Sequence, residues 1–288
     1  MKKAIHYLKK AQDEGWALGQ FNFSTLDQMR AVFQAAKNLK SPVIIGTSEG
    51  ESKFFGLEEA VALKKLFCKK YDVPAFLNLD HGKDLDYIKK AISAGYDIVQ
   101  FDGSALPLEE NIDLTKKIVQ HGRKKGVLIE GEVGVIPSAS QLHQGETEIN
   151  KQDLTIPEDV LKFSKATGVD SLAVNIGTFH GVDADGQNPP INLELLKEIR
   201  AKIWKKTFLV LHGGSGTPDE DIKEAIKLGI VKININTELR MAFCKKLKDF
   251  LNYNPEEIKP YKIFPLATEE VRKVVENKIR IFNSINKI

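Results

Sequence analysis

TFLVLHGGSGTPDEDIKEAIKLGIVKININT, residues 207–237, is the stretch whose reading decides the fold. It opens on a short apolar run, Thr207–Leu211, passes through a glycine-rich turn at residues 213–216, and then changes period. Ile222, Ala225, Ile226 and Gly229 recur at the spacing of one helix face, and Val231–Ile235 returns to an almost continuously apolar run. Strands of that kind are buried on both faces. Two of them separated by a helix pair in parallel through a right-handed crossover.

The same unit extends back along the chain. Strands are predicted at Ala17–Phe23, Val43–Thr47, Ala75–Leu79, Ile98–Phe101, Val127–Glu132 and Ser171–Asn175, which with the two above makes eight. Helical stripes lie between them, among them Leu26, Met29, Phe33 and Ala36, then Leu85, Ile88 and Ile92, and later Leu196, Ile199 and Ile203. Eight such units over about 250 residues specify a (β/α)8 TIM barrel. A doubly wound open sheet is the alternative for the same alternation. Residues 1–288 read as a single barrel domain with a C-terminal helical extension. That extension has three prolines within Asn252–Pro265 and then a helix near Ala267–Ser284. Gly134–Asp153 is a long polar connection without periodicity, either a surface loop or a lid over a site.

Composition narrows the class. An apolar fraction of 42% and a charged fraction of 28% exclude a disordered or fibrous chain. Forty-two basic against 39 acidic residues, net +3, give no field for nucleic acid or a membrane surface. Cys68 and Cys244 are too few for a disulfide framework. Met1–Ala11 has no apolar core of a signal peptide, and no run approaches a membrane span. The expectation is a cytoplasmic globular enzyme.

Chemistry in such a barrel belongs at the C-terminal tips of the strands. Of the six histidines, His6, His121 and His143 fall on helices or the long connection and read as solvated surface. His81, His180 and His212 fall on the tips of three different strands. Three neutral imidazoles with one open position are the arrangement of a catalytic Zn2+, and Co2+ or Fe2+ accept the same ligands. Asp80 beside a predicted ligand suits general acid/base work, or else it caps the following helix. Glu130 and Glu132 share a strand face; they and Asp102 read as partners orienting the imidazoles or as secondary metal ligands.

Gly213-Gly214-Ser215-Gly216, ahead of Pro218, puts free backbone amides at a helix N-terminus. That is where barrels commonly hold phosphate, although an ordinary tight turn has the same composition. Phosphate, an open metal and an acid together point to polarising a carbonyl. Schiff-base chemistry needs a lysine at a tip. Lys232 lies on the eighth strand but before its tip. Metal-assisted hydrolysis on the same fold would need no phosphate cradle, and a barrel that binds sugar phosphates without turnover is the non-enzymatic alternative.

Six segments taken in order now show a resemblance: NLDHG at 78–82, FDGS at 101–104, EGEVG at 130–134, SLAVNIGTFHG at 171–181, LHGGSG at 211–216 and KININTE at 232–238. Together they resemble the class II, metal-dependent fructose-bisphosphate aldolases, a group that includes tagatose-bisphosphate aldolases. The resemblance implies zinc held by His81, His180 and His212, with Asp102 and Glu132 as secondary zinc-site acids. A monovalent cation, Na+ or K+, belongs to the same implication. Asp80 matches the acid/base that acts on the C4 hydroxyl as the C3–C4 bond breaks, and Asn234 the asparagine that supports the enediolate. Gly213, Gly214, Ser215, Gly216, Asn236 and Thr237, with Gly181, match a C1-phosphate cradle. Asn22 and Ser48 match substrate-contacting positions, Ser48 near the far phosphate.

The implied reaction is reversible cleavage of a ketose bisphosphate, foremost fructose 1,6-bisphosphate, to dihydroxyacetone phosphate and glyceraldehyde 3-phosphate. A homodimer or higher homo-oligomer is implied with it. Three departures set further expectations. Where a glycine pair usually follows the fifth-strand Glu-x-Glu, this chain reads Val135-Ile136-Pro137-Ser138, which leaves Glu146 and Glu148 as candidates for the second proton transfer. Lys259-Pro260-Tyr261-Lys262 stands in place of a tail Asp-Pro-Arg motif, so either Lys262 or Lys53 is expected to meet the far phosphate or the substrate lacks that phosphate. Glu49 and Glu51 follow Ser48 at that end, where carboxylates repel phosphate unless they are neutralised.

Overall fold

The eighth strand pairs back onto the first. In the computed structural model, which describes residues 3–137, 143, 149–183 and 185–288, eight parallel strands close into a barrel in sequence order. They are β1 (Leu18–Asn22), β2 (Val43–Ser48), β3 (Ala75–Gly82), β4 (Ile98–Phe101), β5 (Leu128–Val133), β6 (Ser171–Val174), β7 (Phe208–Leu211) and β8 (Ile230–Ile235). Closure removes the open-sheet alternative. Around the strands run α1 (Ala4–Glu14), α2 (Leu26–Leu39), α3 (Glu49–Phe55), α4 (Leu57–Tyr71), α5 (Leu85–Ala94) and α6 (Leu108–Lys125). They continue with α7 (Pro157–Thr167), α8 (Leu193–Lys202), α9 (Asp219–Lys227), α10 (Thr237–Tyr253) and α11 (Pro260–Ile281). No helix among the described residues is long and apolar enough to cross a membrane.

Alternation along the strands sorts their side chains into two shells. Phe21, Ile45, Leu77, Val99, Ile129, Leu172, Leu209 and Ile233 face outward into the core shared with the helices. Inside the barrel the lowest layer is apolar: Leu18, Ile44, Phe76, Ile98, Leu128 and Phe208 pack with Tyr7, Leu8, Ala11 and Trp16 of the α1 region. So α1 plugs the bottom. Above that layer the interior turns polar, with Gln20, Asn78, Gln100, Glu130 and Lys232 all buried. Buried polar groups must pair. Asn78 donates to Gln20 (2.7 Å), Gln100 to Glu132 (2.7 Å) and Lys232 to Glu130 (2.7 Å).

Strand limits fall within one residue of the sequence expectation except in β3, and the last helix departs further. β3 continues to Gly82, three residues past Leu79, because the chain stays paired to β4 through a register irregularity between Leu79 and Gly82. The last helix begins at Pro260, not near Ala267, and carries Pro265 inside it. Pro260 sits in the first turn, where its missing N–H costs nothing. Pro265 forfeits one internal bond, and burial of Ile263, Ala267, Val271 and Val275 along one face of α11 offsets that loss.

Candidate active site

Asp80 and His81 are adjacent on β3, and on a regular strand they would face opposite ways. They do not, because His81 adopts φ 53°, a left-handed conformation uncommon for a residue with a side chain, at the β3 irregularity. Gln100 Oε1 holds this kink by accepting the His81 N–H at 2.9 Å. His180 follows β6, its N–H donating to the Pro137 carbonyl at 2.9 Å, and His212 follows β7 directly.

The three rings converge, with His81 4.4 Å from His180 and 4.8 Å from His212, centroid to centroid. One nitrogen from each lies within 4.8 Å of the others, and His81 Nε2 is 3.3 Å from His212 Nδ1. Two nitrogens on one tetrahedral zinc would stand about 3.3 Å apart. The donor set therefore fits a divalent cation. His212 uses its other nitrogen, Nε2, to donate to Glu130 Oε1 at 3.0 Å, which leaves Nδ1 facing the shared centre. His81 Nδ1 faces Asp102 Oδ2 at 3.8 Å. His81, Asp102 and Glu132 form a second group of the same kind.

Electrostatics separate these groups. Burial disfavours a charged His81, yet Asp80, Asp102 and Glu132 push its imidazole up to about 9. Burial, reinforced by the other two rings, pulls His180 well below the usual histidine range, and burial also lowers His212 against the pull of Glu130. Glu132 is pushed up to about 8 by burial and the neighbouring Asp102 charge. Asp80 goes the other way. Burial opposes its charge, but His81, His212 and Lys232 hold it well below the ordinary carboxylate range. Each Asp80 oxygen accepts an amide at 2.9 Å, Oδ2 from Asn22 and Oδ1 from Asn234. The helix that follows is capped by Asp84, so Asp80 is not a cap.

The glycine turn lies beside the histidines. Gly213 has φ 69°, and a Cβ there would come within 2.5 Å of the Phe179 carbonyl. Gly181, Gly213, Ser215, Asn234, Asn236 and Thr237 join Asp80 and the three histidines in lining one cavity of ≈20 Å³, room for a single ion or water-sized group. Gly214 lies in the same turn but is not among those lining residues, nor is Gly216, whose N–H donates to Glu238 at 2.7 Å. Asn234 Oδ1 and Asn236 Oδ1 are buried acceptors with no partner among the described residues. A roomier cleft of ≈580 Å³ opens at the N-terminal ends of β3, β4 and β5. Its one lining carboxylate, Asp97, is bonded to Lys64 at 2.7 Å, and it has no histidine, so the chemistry assigns the smaller cavity.

Ser48 caps α3, its hydroxyl accepting the Glu51 N–H at 3.2 Å. Glu51 is turned inward and neutralised by Arg240, with Asn22, Asn236 and the Ser48 N–H also donating to it. Glu49 accepts from Lys53 and from the Lys83 and Asp84 backbone. Lys262 pairs with Glu257 at 3.2 Å and lines neither cavity. Glu146 and Glu148 lie outside the described residues.

Sequence reasoning missed two residues. Arg240 lies one helical turn past the Asn236-Thr237 segment, a spacing that could have flagged it. His143, expected at the surface, is half-buried against Phe179 with Nε2 2.8 Å from the His180 carbonyl. Nothing in the local sequence marked it.

Residues 2–287 match the family described as fructose-bisphosphate aldolase class-II. A sulfofructosephosphate aldolase from Alkalicoccus urumqiensis is 37% identical over 282 residues, 97% of this chain and 96% of that one. Among solved structures, the YdjI aldolase from Escherichia coli K12 superposes with a TM-score of 0.83 at 30% identity, covering 100% of this chain and 99% of its own. A fructose-bisphosphate aldolase from Campylobacter jejuni also gives 0.83, at 26% identity, covering 98% and 94%.

Proposed function

The chain belongs to the class II fructose-bisphosphate aldolase family of metal-dependent carbon–carbon lyases, and from that premise we infer that it reversibly cleaves a ketose phosphate carrying a second anion at its far end. The observation that carries this reading is the convergence of His81, His180 and His212 on a cavity that also holds Asp80 and the glycine turn. The three imidazoles are the proposed zinc ligands, with Asp102 and Glu132 as secondary acids. A divalent cation there supplies Lewis-acid polarisation of the ketose carbonyl.

The chain's own groups do the rest. Asp80, kept ionised and fixed by two amides, takes the C4 hydroxyl proton as the C3–C4 bond breaks. The aldehyde leaves, and the bonding pair stays on the three-carbon fragment next to its carbonyl. Asn234 and Asn236 bring unpaired buried acceptors toward the substrate hydroxyls. Gly181, Gly213, Ser215 and Thr237 hold the C1 phosphate, and Glu146 or Glu148 is assigned the returning proton. At the far end Arg240, beside Ser48 and Asn236 through Glu51, is the assigned cation.

Fructose 1,6-bisphosphate is the first candidate substrate. A sulfofructose phosphate is the second, favoured by the 37% relative and by a far end where Arg240 already balances Glu51. A sulfonate carries one negative charge where a phosphate carries nearly two, and it needs less compensation. A coupled assay for dihydroxyacetone phosphate release should show turnover on one of these or on tagatose 1,6-bisphosphate. Chelation should abolish it and zinc restore it. Turnover that survives complete metal stripping, or none on all three substrates, would overturn the reading.

A further inference from the structure

Glu238 is an unexpected group to find behind a turn that is to receive phosphate. It lies in the first turn of α10, and its Oε1 accepts the Gly216 N–H at 2.7 Å while its own N–H approaches Ser215 Oγ at 3.4 Å. A carboxylate in that place competes for an amide of the anion site and repels the anion itself. The same Oε1 has a second partner. Lys278 of α11, its side chain 5% exposed, places Nζ 2.8 Å away. Gly216 has φ 72°, and a Cβ there would come within 2.7 Å of the Gly186 carbonyl, so a residue with a side chain would not fit at this position.

We propose that the Lys278–Glu238 pair is a positioning device for the phosphate turn: Glu238 fixes the Gly216 amide and thereby the shape of residues 213–216, and Lys278 cancels the charge Glu238 brings. The final helix thus takes part in substrate binding without touching substrate. This rests on the reading that the turn receives the substrate phosphate.

The two residues should respond with opposite signs, which an ordinary helix–helix ion pair would not. Inorganic phosphate binding to the metal-loaded full chain is measured by calorimetry, with KM and kcat alongside. Lys278→Met leaves the Glu238 charge uncompensated and should weaken phosphate binding at least about tenfold and raise KM, with kcat within about twofold. Glu238→Gln keeps the accepting oxygen and removes the charge, so phosphate should bind as tightly as in the wild type or more tightly. The double variant should recover most of what Lys278→Met loses. Wild-type binding by Lys278→Met, or equal losses in the two single variants, would overturn the proposal. If Lys278→Met does not fold, Glu238→Gln decides alone, and weaker binding by it is the overturning result. A wild-type chain that binds no phosphate would remove the cradle reading and this inference together, whereas phosphate binding indifferent to both substitutions would remove only the inference.

Discussion

Asp80 is gripped by Asn22 and Asn234, two amides from the neighbouring strands β1 and β8, which gives its carboxylate one orientation and favours its charged form. Asp80→Ala should therefore lower kcat by roughly 10² to 10⁴ while the metal content of the purified protein stays at wild-type stoichiometry. Loss of metal instead would make Asp80 a ligand and end its role as base. Glu130 acts one bond further out. It accepts hydrogen bonds from His212 Nε2–H on one oxygen, and from the Lys232 ammonium and the Ser171 hydroxyl on the other, all within the sealed interior. This explains why Lys232, a lysine on a catalytic strand, is no Schiff-base candidate: its ammonium is committed to Glu130. Replacing Glu130 with Gln should weaken zinc binding about 10- to 100-fold in competition with a chelator, because the His212 tautomer is no longer enforced. An unchanged zinc affinity would show that His212 needs no such support.

At the scale of elements, periodicity made the strands and most helices legible because each is buried in a way its spacing reports. β4 and β7 needed nothing more. Elements shaped by single bonds were less legible. The extension of β3 through Asp80 to Gly82 depends on Gln100 holding a left-handed His81, and no sequence period encodes that bond. The early start of α11 was hidden by prolines that ordinarily end helices; here Pro260 opens one and Pro265 is carried by the face packed on α2 and α10. The site followed the same division. The histidines, Asp80 and the glycine turn sit at strand tips and could be named from topology. Arg240 and His143 reach the site from a helix and a long connection, where position along the chain says little about position in space. The polar middle of the barrel was also unread, since Gln20, Asn78 and Gln100 interrupt runs that otherwise pass as apolar.

In the whole molecule the two chain ends are tied into one ring. β8 pairs with β1, the Ala17 N–H donates to the Phe282 carbonyl at 3.0 Å, and Lys287 reaches back to Glu14 at 3.0 Å. The proposed ligands and the proposed base come from β3, the segment after β6, and the residue after β7, so the site exists only when the ring is closed. We propose that residues 1–288 unfold as one unit and that metal binding is felt at the far end of the barrel. Trp16 is the reporter for that end, fully buried in the apolar layer that α1 seals. Zinc that binds the folded chain alone should add about 2.7 kcal/mol at a free concentration one hundred times its Kd. Fluorescence, which includes Trp16, and far-UV circular dichroism should then give one coincident denaturant transition, moved to higher denaturant by zinc in both signals. If zinc moves the circular dichroism transition and leaves the fluorescence transition in place, the floor of the barrel unfolds separately from its catalytic rim and the single-unit proposal fails.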